Sequence, residues 1–111
     1  MNEARLARAL TGLLGSTLAE ELAHEFVRIR HDSSTGTLER ASPGKFVETF
    51  VQCLQYLAAG QYDAKPDVDG YLSKHAENAD PARVDEGLRI CGARIARSIY
   101  TLRNKRNIAH K

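Results

Sequence analysis

The sequence predicts an all-α protein, a small bundle of about four to five helices in a single domain that spans residues 1–111. Apolar residues recur every three or four positions in four separate stretches, which is the spacing of amphipathic helices. The strict alternation of apolar and polar residues that is typical of strands is found in none of them. A hydrophobic content of 42% in 111 residues is sufficient for one core.

The first two helices are predicted on either side of Gly15, a residue suited to a helix C terminus. Helical spacing relates Leu6, Leu10, Leu13 and Leu14 in the first. Thr17 and Glu20 form a capping-box pattern at the start of the second, which should end near His31. Its apolar stripe consists of Leu18, Leu22, Phe26 and Ile29, opposite a polar face of Glu20, Glu21, His24 and Arg28. Residues 32–37 have the composition of a surface loop.

A third helix is predicted from Ser42-Pro43, an N-cap followed by proline, to Gly60. Its apolar positions repeat with helical period: Phe46, Val47, Phe50, Leu54 and Leu57. Residues 61–78 are rich in Asp, Gly and Lys, and predict a long connection with one short helix. Asp80-Pro81 repeats the cap-and-proline signal and predicts the start of the last helix.

The last helix is predicted to bury one stripe, formed by Val84, Leu88, Cys91, Ile95, Ile99 and Leu102. If it continued to Ala109 in that register, Arg106 would fall on the apolar stripe and Ile108 on the opposite face. A helix from Pro81 to Ala109 would also be about 43 Å long, more than the ~27 Å width expected of so small a domain. We therefore expect a break between Asn104 and Asn107.

Charge is strongly segregated along the chain although the net charge is only +2. From Gly87 onward there are seven basic residues and no acidic one, whereas residues 1–86 carry nine basic and 14 acidic residues. A basic pole of this kind suits a polyanion or an acidic partner. The alternative is that these basic residues cover the solvated face of a helix, where the helix dipole favours them without any function.

Other features argue against several function classes. The chain has no apolar stretch long enough to span a bilayer and no signal-peptide pattern, so we expect a cytoplasmic protein without a membrane partner. Cys53 and Cys91 lack the spacing of zinc ligands and are expected to be buried reduced thiols, with a disulfide as the alternative. His24-Glu25 lacks the second histidine of a zinc-protease motif, and no glycine-rich phosphate loop occurs. No metal and no cofactor are expected.

The C-terminal run Arg103-Asn104-Lys105-Arg106-Asn107-Ile108-Ala109-His110 resembles the Arg-x(4 to 6)-His motif of HEPN domains, in the version that opens with Arg-Asn. The resemblance covers this motif and the helix before it, about the last 30 residues. It implies a HEPN-like bundle, a homodimer in which arginine and histidine of both protomers face one cleft, and metal-independent RNA cleavage of an abortive-infection or toxin–antitoxin type in bacteria. An antitoxin or a fused partner domain is a further expected partner.

The chemistry of the motif residues fits RNA cleavage. Breaking RNA without a metal requires an acid and base near neutral pKa and a fixed cation for the phosphorane charge. We therefore predict His110 as the acid/base and Arg103 as the phosphate-binding catalytic residue. Substrate-binding residues are predicted at Asn104, Lys105, Arg106, Asn107 and Lys111.

Two departures from the family bear on these assignments. Arg106 is separated from His110 by only three residues, fewer than the motif has, although it is a second arginine near that histidine. The chain stops one residue after His110, where the family has a further helix. We therefore expect the N-terminal part, or a truncated form, of a longer protein that lacks the final helix here.

Two other functions are compatible with the sequence. The first is a non-catalytic helical module for dimerisation or docking, whose basic end binds nucleic acid or an acidic partner. The second, a DNA-binding helix-turn-helix, is disfavoured because no short helix pair precedes the basic helix.

Overall fold

The computed structural model describes residues 2–35 and 42–109, without the side chains of residues 33, 42, 88, 91 and 102–109. The described residues form an all-helical bundle that contains no strand. Helix α1 spans Glu3–Thr35, α2 spans Ser42–Ala59, and α3 is a single turn at Val68–Gly70. A π-helical turn, Gly87–Gly92, leads into α4 at Ala93–Ala109. No helix in the described part of the chain has the length and apolar character to cross a membrane.

Helix α1 is sharply bent at Gly15, whose φ of 76° and ψ of 165° are non-helical. This conformation is accessible essentially only to glycine, so the predicted boundary at Gly15 is confirmed as a kink between two helical arms. Leu13, predicted as part of the apolar stripe, is instead 67% exposed, whereas Leu14 is buried. The second arm continues to Thr35, so the predicted loop at 32–37 is wrong for residues 32–35; residues 36 and 37 lie outside the described part.

Helix α2 is the centre of the bundle and has the bounds that the sequence predicted. It ends at Gly60, whose positive φ of 78° and hydrogen bond to the Tyr56 carbonyl form a left-handed helix stop. One core cluster joins α2 to the C-terminal half: Val47, Val51, Leu54, Val68, Leu72, Ala76, Val84, Ala93 and Ala96. A second joins it to α1: Leu14, Leu18, Ala19 and Cys53. Since α2 contributes to both, it carries two buried faces.

The predicted connection after α2 contains one short helical stretch, as expected. Helix α3 continues as a π-helical turn, Tyr71–His75, and a 3₁₀ turn, Ala76–Asn78; we call residues 68–78 the crossover segment. Asp67 caps it by accepting a hydrogen bond from the Gly70 amide. Its buried residues, Val68, Leu72 and Ala76, follow every fourth position and hold the segment against the core.

The last helix begins later than predicted. Asp80 accepts hydrogen bonds from the amides of Ala82, Arg83 and Val84, so Asp80-Pro81 forms only one turn. Val84 is then buried in the core, and Asp85 restarts the helix by accepting from the Gly87 amide. The cap-and-proline signal is therefore correct as a turn and wrong as the start of the long helix, because burying Val84 requires the chain to bend after it.

The π-helical turn at Gly87–Gly92 changes which face of α4 is buried. Its i→i+5 hydrogen bonding adds one residue, which rotates every later residue by about 100° around the axis. Ile95, predicted in the core, is 62% exposed, whereas its neighbour Ala96 is 5% exposed. Ala93 is also buried, and Ile99 and Tyr100 pack partly against the core. The buried stripe is thus displaced by one residue from the prediction.

The predicted break between Asn104 and Asn107 is wrong, because α4 is helical from Ala93 to Ala109. Both reasons for expecting a break disappear in the structure. The helix spans 17 residues, about 25 Å, which fits within a molecule of 42 × 33 × 24 Å. The shifted register also moves residue 106 away from the buried stripe.

Candidate functional site

A groove of about 800 Å³ runs between the crossover segment and α4, directly before the basic C-terminal run. Leu72, Ser73 and Glu77 line one side, and Arg94, Arg97, Ser98 and Thr101 line the other. Leu72 is buried beneath it. Because Thr101 immediately precedes residue 102, the groove leads to the start of the segment that the sequence singles out.

Ion pairs across the groove balance its charge. Arg94 Nε lies 2.7 Å from Glu77 Oε1, and Arg97 Nε lies 3.3 Å from Asp69 Oδ1. The hydrogen bond from Arg94 lowers the pKa of the Glu77 carboxyl, against the opposing effect of desolvation, and the charges of Arg94 and Arg89 lower it further. These pairs are exposed to solvent and contribute little stability, but they hold two arginines along one edge.

Arg89 also contacts Glu77, through the glutamate backbone. Its Nη1 donates a 2.8 Å hydrogen bond to the Glu77 carbonyl oxygen, and its Nε is buried without a hydrogen-bond partner among the described residues. Glu77 therefore receives one arginine on its backbone and another on its side chain. This arrangement fixes the crossover segment against the start of the last helix.

The register of α4 relates the motif residues to the buried face. At about 100° per residue, positions 93, 96, 100, 103 and 107 lie within about 80° of one another, with spacings of three, four, three and four residues. Arg103 therefore occupies the position on this face that the sequence prediction had given to Leu102. Asn107 follows on the same face, whereas Lys105 and Arg106 lie on others.

The described residues contain only part of the predicted site. The backbone of Arg103, Asn104, Lys105, Arg106 and Asn107 is helical, and their side chains are not described. His110 and Lys111 lie outside the described residues. The structure accordingly places Arg103 and Asn107 on one helix face and leaves the pairing of Arg103 with His110 as a prediction.

No family model, curated protein or solved structure matches this chain. The resemblance to HEPN domains therefore depends on the motif residues and on the helix that carries them.

A second cavity, of about 480 Å³, lies at the other end of the bundle between the two arms of α1 and the start of α2. Its lining is mainly acidic and consists of Glu3, Thr17, Glu20, Glu21, His24 and Glu25 from α1, with Lys45 and Thr49 from α2. The kink at Gly15 brings its two sides together, since His24 Nδ1 lies 3.2 Å from Glu3 Oε1 across 21 positions of sequence.

Glu25 is the functional candidate that sequence reasoning missed. It is only 6% exposed, and its Oε2 is buried with no hydrogen-bond partner in the part of the chain that the structure describes. The sequence did contain a signal: Leu18, Leu22, Glu25 and Ile29 follow alternating spacings of four and three, so that a glutamate occupies a position suited to an apolar residue. The predicted solvent exposure of Glu20, Glu21 and His24 is confirmed.

Cys53 is a buried free thiol, as the preferred sequence interpretation expected. Burial raises its pKa to about 12, with a further increase from the negative charge of Glu21. The thiolate needed for nucleophilic or redox chemistry is thus disfavoured at neutral pH. In the described part of the chain, no three His, Cys, Asp or Glu side chains are close enough to hold a metal ion.

Proposed function

We propose that this chain is a HEPN-like domain that cleaves RNA without a metal ion, in a bacterial defence or toxin–antitoxin system. The observation that supports the proposal is the register of α4. The helix face that buries Ala96 and packs Tyr100 against the core continues through Arg103 and Asn107. A face that changes from apolar to Arg and Asn beyond the core suits contact with a second protomer around a polar cleft.

The reaction that we propose is transesterification within RNA. The 2′-oxygen forms a bond to phosphorus while the bond from phosphorus to the 5′-oxygen breaks. A base removes the 2′-OH proton, and an acid donates a proton to the leaving 5′-oxygen. Each protomer of a homodimer supplies one His110 and one Arg103, so two histidines provide base and acid, and the arginines stabilise the phosphorane. The products are a 2′,3′-cyclic phosphate and a 5′-hydroxyl.

The charge distribution indicates which residues bind the RNA backbone. Arg94 and Arg97 line the groove, and the carboxylates of Glu77 and Asp69 in the crossover segment offset their charge. The excess positive charge is therefore carried by the residues that follow Thr101, and these contain no acidic residue. We expect Lys105, Arg106 and Lys111 to provide most of the phosphate affinity.

The direct test is RNA cleavage in EDTA by the wild type and by Arg103→Ala and His110→Ala. Matched controls are Arg28→Ala and His31→Ala, which remove the same side-chain types from exposed positions on α1. We expect cleavage by the wild type and both controls, and a loss of at least about 100-fold in both motif variants.

The product termini provide a second readout. A 2′,3′-cyclic phosphate, detected by its resistance to phosphatase until acid treatment, is the expected end. Cleavage that stops in EDTA, or that is equal in all five proteins, would contradict the mechanism.

A non-catalytic docking module is the second candidate, and the exposure of Ile95 favours it. Ile95 is 62% exposed, and residue 102, a leucine, lies seven positions later on the same face of α4. An exposed isoleucine of this size on a helix surface suits a protein partner. Retained partner binding by Arg103→Ala, with loss of binding by Ile95→Lys and no RNA cleavage by any variant, would favour this function.

A further inference from the structure

We propose that the acidic cavity between α1 and α2 binds a small organic cation that carries guanidinium or alkylammonium groups, with Glu25 as its buried anchor. This site lies apart from the basic run and does not depend on the function proposed above. Its evidence is the buried Oε2 of Glu25, which has no partner among the described residues, the surplus of negative charge around it, and the size of the space.

The first feature that indicates a ligand is the buried side chain of Glu25. Its side chain lines the cavity, yet the residue is 6% exposed and Oε2 makes no hydrogen bond to any described residue. A carboxylate removed from water without a donor is costly, and proteins normally supply a paired cation or several hydrogen bonds. A ligand with N–H donors would restore both the charge balance and the missing hydrogen bond.

The surrounding charges select a cation. Among the described residues, four glutamates line the cavity against one lysine. That lysine, Lys45, is directed to another carboxylate, since its Nζ lies 3.7 Å from Glu48 Oε1, outside the cavity lining. The negative charge within the cavity is therefore not neutralised by the lysine beside it, and a cationic ligand would be attracted to it.

The geometry favours an organic cation over a metal ion. No three acidic or histidine side chains in the described residues come close enough to share one metal ion. The volume of about 480 Å³ lies within the usual range for small-molecule sites. Carboxylates distributed around such a space suit an extended molecule with a charge at each end. A guanidinium suits Glu25 especially, because it is weakly hydrated and binds carboxylates through two parallel N–H donors.

The experiment uses the full chain and isothermal titration with agmatine, which has a guanidinium at one end and an ammonium at the other. Spermidine and the capped peptide acetyl-Gly-Arg-Gly-amide form two further arms. Tighter binding of agmatine or spermidine identifies a free small molecule as the ligand, and tighter binding of the peptide identifies an arginine side chain. Binding should weaken as salt is raised.

Glu25→Gln is the decisive variant because it keeps the shape of the side chain and removes its charge. We expect it to weaken agmatine binding by about 10- to 100-fold, the effect of losing a charged hydrogen bond. Glu21→Gln, at an exposed position of the same cavity, should weaken it less. Glu86→Gln is the matched control, since Glu86 is exposed and does not line the cavity. Circular dichroism checks that each variant is folded. If Glu25→Gln does not fold, the weaker agmatine binding expected of Glu21→Gln tests the site in its place.

Three outcomes would overturn the proposal. They are the absence of saturable binding by all three compounds, equal affinity for agmatine in the wild type and Glu25→Gln, and saturable binding of Mg²⁺ or Ca²⁺ in place of the organic cations. None of these outcomes alters the RNA cleavage test, so the two proposals fail separately.

Discussion

Arg94 Nε lies 2.7 Å from Glu77 Oε1, and this contact ties α4 to a crossover segment 17 residues earlier in the chain. Glu77 also accepts a hydrogen bond from Arg89 through its backbone carbonyl. A substitution of Glu77 removes the contact with Arg94, which uses the glutamate side chain, but keeps the contact with Arg89, which uses the backbone.

Glu77→Gln is expected to lower the melting temperature slightly at pH 7, by about 2 °C or less, because an exposed ion pair contributes little. The folded-state pKa of Glu77 lies below its ordinary value of 4.5. Its contribution is therefore complete above about pH 4.5 and disappears as the pH falls through the lowered folded-state pKa. Thermal unfolding of both proteins at pH 7 and pH 3 tests this. A difference that grows toward acid pH would contradict it, and Glu86→Gln serves as the control.

Gly15→Ala is expected to destabilise the protein by about 1–3 kcal/mol, because φ 76° and ψ 165° strain any side-chain-bearing residue. Gly12→Ala is the matched control. Gly12 is helical, and a Cβ there meets nothing within 4 Å, so this change should stabilise by about 0.5–1 kcal/mol. Urea unfolding measures both free energies. Equal effects of the two substitutions would mean that the kink is absent in solution.

The shifted register of α4 predicts opposite results at two adjacent residues. Ile95→Lys should change the free energy of unfolding by less than about 0.5 kcal/mol, because Ile95 is 62% exposed. Ala96→Leu should cost about 1–3 kcal/mol, because Ala96 is 5% exposed in a packed core. In the uninterrupted register predicted from sequence, Ile95 is buried and Ala96 is not, so Ile95→Lys would be the more destabilising of the two substitutions. Denaturant unfolding of the two variants therefore distinguishes the registers.

Cys53 is expected to resist alkylation in the folded protein, because burial raises its pKa to about 12. In a Cys91→Ser background, iodoacetamide at pH 8 should label Cys53 only at the rate at which the protein unfolds, and rapidly in 8 M urea. Glu21→Gln removes the second cause of the shift and should lower the thiol pKa. Fast labelling of the folded protein would contradict the burial of this side chain.

The charge argument predicts different salt effects for two arginines, on the basis of the proposed RNA binding. Arg106→Ala should weaken RNA binding and reduce the slope of log K against log salt concentration by about 0.7–0.9, as expected for one lost phosphate contact. Arg97→Ala should leave the slope unchanged, because Arg97 pairs with Asp69 in the structure. Fluorescence anisotropy between 50 and 200 mM salt measures both. Equal slopes for the two variants would reject this assignment of phosphate contacts.

Local sequence signals predicted much of the helical organisation. The apolar period of α2 and the glycine after it predicted that helix from Ser42 to its stop at Gly60, and Gly15 marked the bend in α1. These features depend on the conformational preference of a few neighbouring residues, which the sequence contains directly. The candidate acidic cavity was not predicted, because its opposite sides meet only after the bend brings Glu3 beside His24.

The sequence by itself determined the helical class, the two glycine boundaries and the concentration of basic residues after Gly87. Tertiary structure decided the burial of Glu25 and the face of α4 that meets the core. The π-helical turn before Ala93 adds a residue to the register, so Ala96 enters the core in place of Ile95. Period alone does not reveal such a shift, because the period assumes a regular helix and the π-helical turn departs from one. That shift also turns toward the core the helix face of Tyr100, on which the backbone positions of Arg103 and Asn107 follow.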